Sequence, residues 1–218
     1  MSKLPFVLGV AGASGSGKST LASSLERRLK ADGLRCVLLR EDPRFFKQLS
    51  SPSYATRDPQ SEEPSHVDWG ATEAHARAHL DDDGGGGGVA DLIIVEHFLL
   101  ASPNGGAKHL LPLCDVLLYL DVGADDQARL LCRERRVARS VRRPREVDDL
   151  RTYYDRVVWP AFLRNTRDPV TQLAPDARPT VVALDGTRPF HDVLADAIRL
   201  VRARVGPRRL LSPPLLES

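Results

Sequence analysis

Residues 12–19 read Gly-Ala-Ser-Gly-Ser-Gly-Lys-Ser, which fits the pattern G-x-x-x-x-G-K-[S/T]. The segment stands between an apolar run at 6–11, read as a strand buried on both faces, and a helical stretch at 18–30. That stretch carries Leu21, Leu25 and Leu29 on one face. Few folds place such a loop between such neighbours. Its glycines can adopt backbone angles that turn successive N–H groups inward around an oxyanion, and the positive end of the following helix adds to the same site. Gly12, Ala13, Ser14, Gly15, Ser16, Gly17, Lys18, Ser19 and Thr20 are therefore the expected cradle of a nucleotide's phosphates. In it Lys18 reaches the β- and γ-phosphates and the Ser19 hydroxyl ligates Mg²⁺, so ATP and Mg²⁺ are the expected cofactors.

Beyond the loop, strand and helix signals alternate. Apolar runs at 34–40, 91–95, 116–120 and 180–184 read as further strands. Helical patterns cover 71–80, 125–141, 147–167 and 190–205. This alternation implies right-handed crossovers and one parallel α/β sheet. Residues 50–66, rich in Ser, Pro and acids, read as a mobile surface loop, and the acidic and polyglycine stretch 81–88 as a linker. The expected organisation is one domain over 1–205, with a helical lid at about 125–150 and a Pro/Leu-rich tail at 206–218.

The chain has 218 residues, 31 basic and 29 acidic, for a net charge of +2, so nothing global argues for nucleic acid or membrane binding. Cys36, Cys114 and Cys132 have neither disulfide-framework nor zinc spacing and read as buried thiols of a reducing compartment. No apolar run is long enough to span a bilayer, and the expected location is the cytosol, or the nucleus as well. His66, His75, His79, His97 and His109 show no triad or metal spacing and read as surface or internally satisfied histidines.

The type of P-loop protein is narrowed by two further features. The D-x-x-G after the third strand and the N-K-x-D expected of a G protein are missing, and the third strand instead ends at Glu96. A carboxylate leaving a strand beside the phosphate loop can hold Mg²⁺ or its water shell. Between Arg129 and Arg145 stand eight arginines and one acid, Glu134. In a charge-balanced chain this one-sided excess reads as a lid that stabilises a transferring phosphoryl group, in preference to a solvated face or an RNA-binding patch.

With these residues in hand, the chain resembles the nicotinamide riboside kinases, within the uridine-kinase-like P-loop kinases. The resemblance runs from about residue 7 to 201. It rests on the phosphate loop, on Leu92-Ile93-Ile94-Val95-Glu96-His97-Phe98-Leu99-Leu100, and on Cys132-Arg133-Glu134-Arg135-Arg136. Tyr154-Asp155-Arg156-Val157-Val158-Trp159-Pro160 and Val182-Ala183-Leu184-Asp185-Gly186-Thr187 complete it. It implies a P-loop kinase fold, with a five-stranded parallel sheet flanked by helices and a small arginine-rich lid. It also implies phosphorylation of a riboside 5′-hydroxyl, nicotinamide riboside foremost, feeding NAD synthesis. A uridine/cytidine or other metabolite kinase, or a catalytically degenerate nucleotide-binding regulator, remains as the alternative. The implied partners are a small riboside substrate and no nucleic acid or membrane, in a monomer or homodimer.

Carried over by position, Glu41 and Asp42 match the acidic pair that holds the family's catalytic base, and Trp69 the aromatic on which the substrate's base stacks. Arg136 matches an arginine near the substrate, Arg135 and Arg139 lid arginines near ATP, and Asp185, Gly186 and Thr187 a loop beside adenine. Asp42 is favoured as base because the C-terminal ends of parallel strands face the ligand crevice. A helix cap before Pro43 is its structural alternative. Phe45 competes with Trp69 as the stacking platform, and Asp68 flanks Trp69 where the family's acid would follow it. The chain departs from the family at Pro43-Arg44, at Gly70 and at His97, where a glycine usually follows the strand-end acid.

Overall fold

The computed structural model describes residues 4–40, 46, 53–80, 90–140, 144–173 and 178–205. Five strands, β1 (Phe6–Gly12), β2 (Cys36–Leu39), β3 (Leu92–Glu96), β4 (Val116–Asp121) and β5 (Thr180–Asp185), form one parallel sheet in the order β2-β3-β1-β4-β5. The helices are α1 (Lys18–Ala31), α2 (Trp69–Leu80), α3 (Gly106–His109), α4 (Asp126–Ser140), α5 (Pro144–Tyr153), α6 (Trp159–Phe162), α7 (Asp168–Thr171) and α8 (Phe190–Val205). The expected α/β fold with a five-stranded parallel sheet is the one observed.

β1 is the central strand, with β3 on one side and β4 on the other. The crossover from β1 runs to one side, toward β2, and that from β4 to the other, toward β5. The winding thus reverses between these two neighbours, and the crevice beyond their C-terminal ends is the place where open α/β sheets bind ligands. The register pairs Val10 with Glu96 and Gly12 with Leu120, so the phosphate loop and the strand-end carboxylate emerge side by side.

Successive residues of a strand point to opposite faces, and the core divides accordingly. Leu8, Val10, Leu92, Ile94 and Leu118 pack against Leu21, Leu25 and Leu29 of α1 and Val193, Ala197 and Val201 of α8, forming a back layer. Val7, Ile93, Val95, Leu117 and Tyr119 face the other way, toward Trp69, Leu99, Tyr154, Trp159 and Phe162, forming a front layer. All five residues of β3 are buried, the apolar run Leu92–Val95 and the Glu96 that ends it.

Two regions differ from the sequence expectation in detail. The helix read over 147–167 begins at Pro144 and runs on to Thr171, with wide π turns at Tyr154–Val158 and Leu163–Arg167. Each π turn precedes a turn bearing a proline, Pro160 or Pro169. A proline ring presses on the carbonyl four residues back and offers no N–H, and the wider turn relieves that clash. The second is the stretch 50–66, read as a mobile surface loop. Its described part, 53–66, is a succession of short 3₁₀ turns at Tyr54–Thr56, Pro59–Glu62 and Pro64–His66. The polyglycine stretch and the C-terminal tail singled out above lie outside the described residues.

Candidate active site

The phosphate loop has the backbone its glycines permit. Gly15 and Gly17 adopt φ of 89° and 103°, the left-handed region in which a side chain is strained. Gly17 caps α1 with no side-chain bond, which leaves the first N–H groups of the helix turned toward the loop. A Cβ on Gly15 would lie 2.1 Å from the carbonyl oxygen of Cys132, so α4 touches the loop directly. From the front layer, the Tyr154 hydroxyl donates to the Ser14 carbonyl at 2.7 Å.

Two clefts meet over this loop. The first, about 320 Å³, is lined by Ser14, Lys18, Ser19 and Glu96 at its floor and by Arg136 and Arg139 from α4. Its outer wall comes from Phe46, Tyr54, Arg57, Ser61, Glu62 and His66, with Tyr153 behind them. The second, about 370 Å³, is lined by Gly15, Ser16, Gly17 and Thr20 on the loop, Arg135 and Arg139 on α4, and Gly186, Arg188 and Phe190 near β5 and α8. Arg139 is common to both. The loop is thus a floor with one chamber at the front of the sheet and another at the back.

At the junction the Ser19 hydroxyl donates to Glu96 Oε1 at 2.8 Å. Glu96 is 5% exposed, and a carboxylate so buried favours a cation nearby. Lys18 is also buried, with Nζ 3.5 Å from the Ala13 carbonyl. The described residues contain no cluster of three or more His, Cys, Asp or Glu side chains that could hold a metal. One hydroxyl and one carboxylate suit Mg²⁺, which keeps several waters and takes phosphate oxygens rather than an all-protein cage. Ser16 Oγ, buried beside the second cleft, has no hydrogen-bond partner among the described residues, which suits a loop that binds an oxyanion.

Five of the eight arginines, those at 129, 133, 135, 136 and 139, separate into roles that their sequence does not announce. Arg129 and Arg133 are bound by Asp155, each at 2.6 Å, and hold α4 against the π turn. Arg135 donates to the Gly186 carbonyl at 3.2 Å, which joins α4 to the loop after β5. Arg136 and Arg139, three residues apart on one helix face, reach the first cleft. Of the loop after β5, Gly186 lines the second cleft while Asp185 shapes the turn. Its carboxylate accepts from the Thr187 N–H at 2.9 Å and from the Thr187 hydroxyl at 2.5 Å, and these bonds hold it below the usual carboxylate range.

Two expected substrate contacts are not where the sequence put them. Trp69 is 8% exposed and belongs to the front-layer core. Its Nε1 donates to the Pro64 carbonyl at 2.8 Å, one face meets the His109 ring at 6.0 Å, and Gly105 lies so close that a Cβ there would be 2.5 Å from the indole. Tryptophan in this setting is packing, not a platform open to a ligand. Asp68 accepts from the Ala71 N–H at 3.0 Å, the bond of a helix cap at the start of α2, and does not line either cleft. His97 is a core histidine: Nδ1 accepts from the Leu99 N–H at 3.0 Å, and burial pushes its pKa down to about 3. Glu41, Asp42 and Phe45 lie outside the described residues.

Sequence reasoning missed the wall of the first cleft and two residues of the second. Phe46, which follows the Phe45 singled out above, lines the front cleft and pairs with Val67 in an isolated antiparallel bridge. Phe190, 42% exposed at the start of α8, offers an apolar surface beside Arg188 in the back cleft. An aromatic placed just after the Asp-Gly-Thr turn was the available signal.

A parallel sheet with a Walker-type loop after its central strand, a strand-end carboxylate bonded to the loop serine, and arginines over both define a P-loop protein with a kinase-type fold. The chain is 26% identical over 199 residues to the uridine kinase of Leuconostoc citreum (strain KM20), a match covering 83% of this chain and 92% of the relative. It is 26% identical over 203 residues to that of Clostridium novyi (strain NT), with the same coverages, and 26% identical over 207 residues to that of Halalkalibacterium halodurans, covering 85% and 92%. Uridine-kinase-like P-loop kinases use ATP and Mg²⁺. Among solved structures, that of a Silicibacter sp. TM1040 protein assigned as a fructose transport system kinase superposes with a TM-score of 0.59 at 19% identity, over 84% of this chain and 91% of that one. No protein-family model matches the chain. Among the described residues no helix is long and apolar enough to cross a membrane.

Proposed function

We propose that this protein is an ATP- and Mg²⁺-dependent kinase that phosphorylates the 5′-hydroxyl of a small riboside. The observation that carries the reading is the pair of clefts meeting over one phosphate loop and sharing Arg139, one chamber for the donor and one for the acceptor. The back cleft, with Phe190 and Arg188 beside the loop's glycines, takes the nucleotide; the front cleft takes the acceptor. Lys18, Arg136 and Arg139 then surround the phosphoryl group in transit. Their fixed positive charge matches the charge that spreads over its oxygens in the transition state. Ser19 and Glu96 would hold Mg²⁺, whose charge would offset that of the phosphate chain. Asp42 accepts the proton of the acceptor hydroxyl as that oxygen bonds to the γ-phosphorus and the bond from phosphorus to the β,γ-bridging oxygen breaks, leaving ADP.

Two ribosides contend for the front cleft. The Val158-Trp159-Pro160 and Leu184-Asp185-Gly186-Thr187 segments favour nicotinamide riboside, giving nicotinamide mononucleotide for NAD synthesis. The names of the curated relatives favour uridine. Turnover of a riboside panel with ATP and Mg²⁺ decides between them. If no riboside is phosphorylated while nucleotide still binds, the chain is a nucleotide-binding regulator instead. Lys18→Ala should abolish turnover in a folded protein. Asp42→Asn should lower kcat by ~10²–10⁴ with ATP affinity nearly unchanged, and Glu41→Gln should do much less.

A further inference from the structure

Tyr153, Tyr154 and Asp155 are consecutive, at the point where α5 opens into the π turn. Side chains of consecutive helical residues leave the axis about 100° apart, so three neighbours address three different parts of a molecule. Here each holds one wall of the site. The Tyr153 hydroxyl lies 2.8 Å from Ser61 Oγ and 3.4 Å from the Asp58 carbonyl and from Glu62 Oε1; Ser61 and Glu62 line the acceptor wall, and Asp58 belongs to the same run of short turns. Its ring sits 5.9 Å from that of Tyr54, and the Arg57 guanidinium lies over both rings, at 5.9 Å and 4.5 Å. The Tyr154 hydroxyl, on a side chain with no exposed surface, donates to the Ser14 carbonyl of the phosphate loop. Asp155 binds Arg129 and Arg133 of α4, the helix that carries Arg135, Arg136 and Arg139.

We infer that Tyr153, Tyr154 and Asp155 act as one positioning unit that links the acceptor wall, the phosphate loop and the arginine helix, so that nucleotide on the loop tightens the acceptor wall some distance along the cleft. The inference rests on the reading of residues 12–19 as a nucleotide site. A phosphate chain drawn into the loop fixes Ser14 and, through the Tyr154 hydroxyl, the π turn. Tyr153, one residue back on the same rigid turn, is fixed with it, and so are the carbonyl, hydroxyl and carboxylate it meets at 58–62. The same turn carries Asp155, so α4 cannot shift over the loop without loading the unit. Close packing transmits such a displacement instead of absorbing it.

Hydrogen–deuterium exchange on the full chain tests this with a non-hydrolysable ATP analogue and Mg²⁺ as the probe. In the wild-type protein the analogue should slow exchange at 12–19 and also, ~5-fold or more, at 58–62. Tyr153→Phe removes one oxygen and keeps the ring. It should keep the slowing at 12–19 and lose most of that at 58–62, and Ser61→Ala should behave alike. A merely structural Tyr153 would raise exchange at 58–62 equally with and without the analogue, leaving the ratio unchanged, and that result overturns the inference. So does a wild-type protein protected at 12–19 but not at 58–62. Absence of protection at 12–19 in the wild-type protein would instead sink the nucleotide reading, and the inference with it.

Discussion

The hydroxyl of Ser19 and the carboxylate of Glu96, 77 positions apart in the chain, meet at 2.8 Å in the crevice between β1 and β3. The first residues of α1 supply one group and the last residue of β3 the other, and the parallel register that pairs Val10 with Glu96 makes the meeting unavoidable.

Glu96→Gln keeps the size of the side chain and its bond to Ser19 but removes the charge that favours Mg²⁺. The Mg²⁺ concentration for half-maximal rate should rise ~10–100-fold, with thermal stability little changed. Titration of activity against Mg²⁺ reads this directly. An unchanged Mg²⁺ dependence would remove Glu96 from the metal site.

Gly15→Ala places a methyl group 2.1 Å from the Cys132 carbonyl at a φ of 89°. Either the loop or α4 must move. Backbone strain alone is on the order of 1–3 kcal/mol, and nucleotide Kd should rise ~10-fold or more. Calorimetric titration of ATP together with a melting curve separates the two effects.

Trp69→Phe distinguishes packing from stacking. It deletes the bond to the Pro64 carbonyl and part of the indole, so stability should fall by ~1–3 kcal/mol. Because Trp69 does not line the front cleft, the KM of whichever riboside is phosphorylated should change less than ~3-fold. A large rise in KM without loss of stability would restore the stacking role.

Burial pushes the thiols of Cys36 and Cys114 up to about 12, from an ordinary value near 9. An unfolded chain loses these protons first, so between those values the folded state binds more protons and stability falls as pH rises. The fully enclosed Cys114 thiol should contribute up to ~1.4 kcal/mol per pH unit of that fall and Cys36, less enclosed, a smaller amount in the same direction, with little effect below pH 8. Urea unfolding at pH 8, 9 and 10 measures the slope, and Cys114→Ala should flatten it. At pH 8 none of the three thiols, all buried, should react with iodoacetamide until the protein is unfolded.

Features encoded within a dozen neighbouring residues were legible before the fold was known. The phosphate loop, the strand ending at Glu96 and the periodic face of α8 each depend on local chemistry, and the structure has them at the expected places. What could not be read depends on partners distant in sequence. Trp69 has the same neighbours in the chain whether it stacks on a ligand or on His109. Only the approach of Gly105 decides. Arg129 and Arg133 look no different from Arg136 and Arg139 until Asp155 arrives from the following helix and takes the first pair. The wall built by 53–66 was hidden for a related reason. Its polar composition is that of a surface loop, and its anchors, Tyr153 to Ser61 and Asn165 to Glu63, come from about 100 residues downstream.

The two-layered core has a consequence for how such a chain can diverge. The chamber given to the acceptor is lined by side chains that pack on the front layer, such as Phe46, Tyr54 and Phe98, while Leu21, Leu120 and Val193 of the back layer underlie the other chamber. Substitutions that reshape the front wall leave the seat of α1 undisturbed, and with it the turn that carries Lys18 and Ser19. Preference for one acceptor over another can therefore drift while phosphoryl chemistry is retained, because the sheet, like a bulkhead, divides the layer that shapes the outer wall from the layer that seats α1.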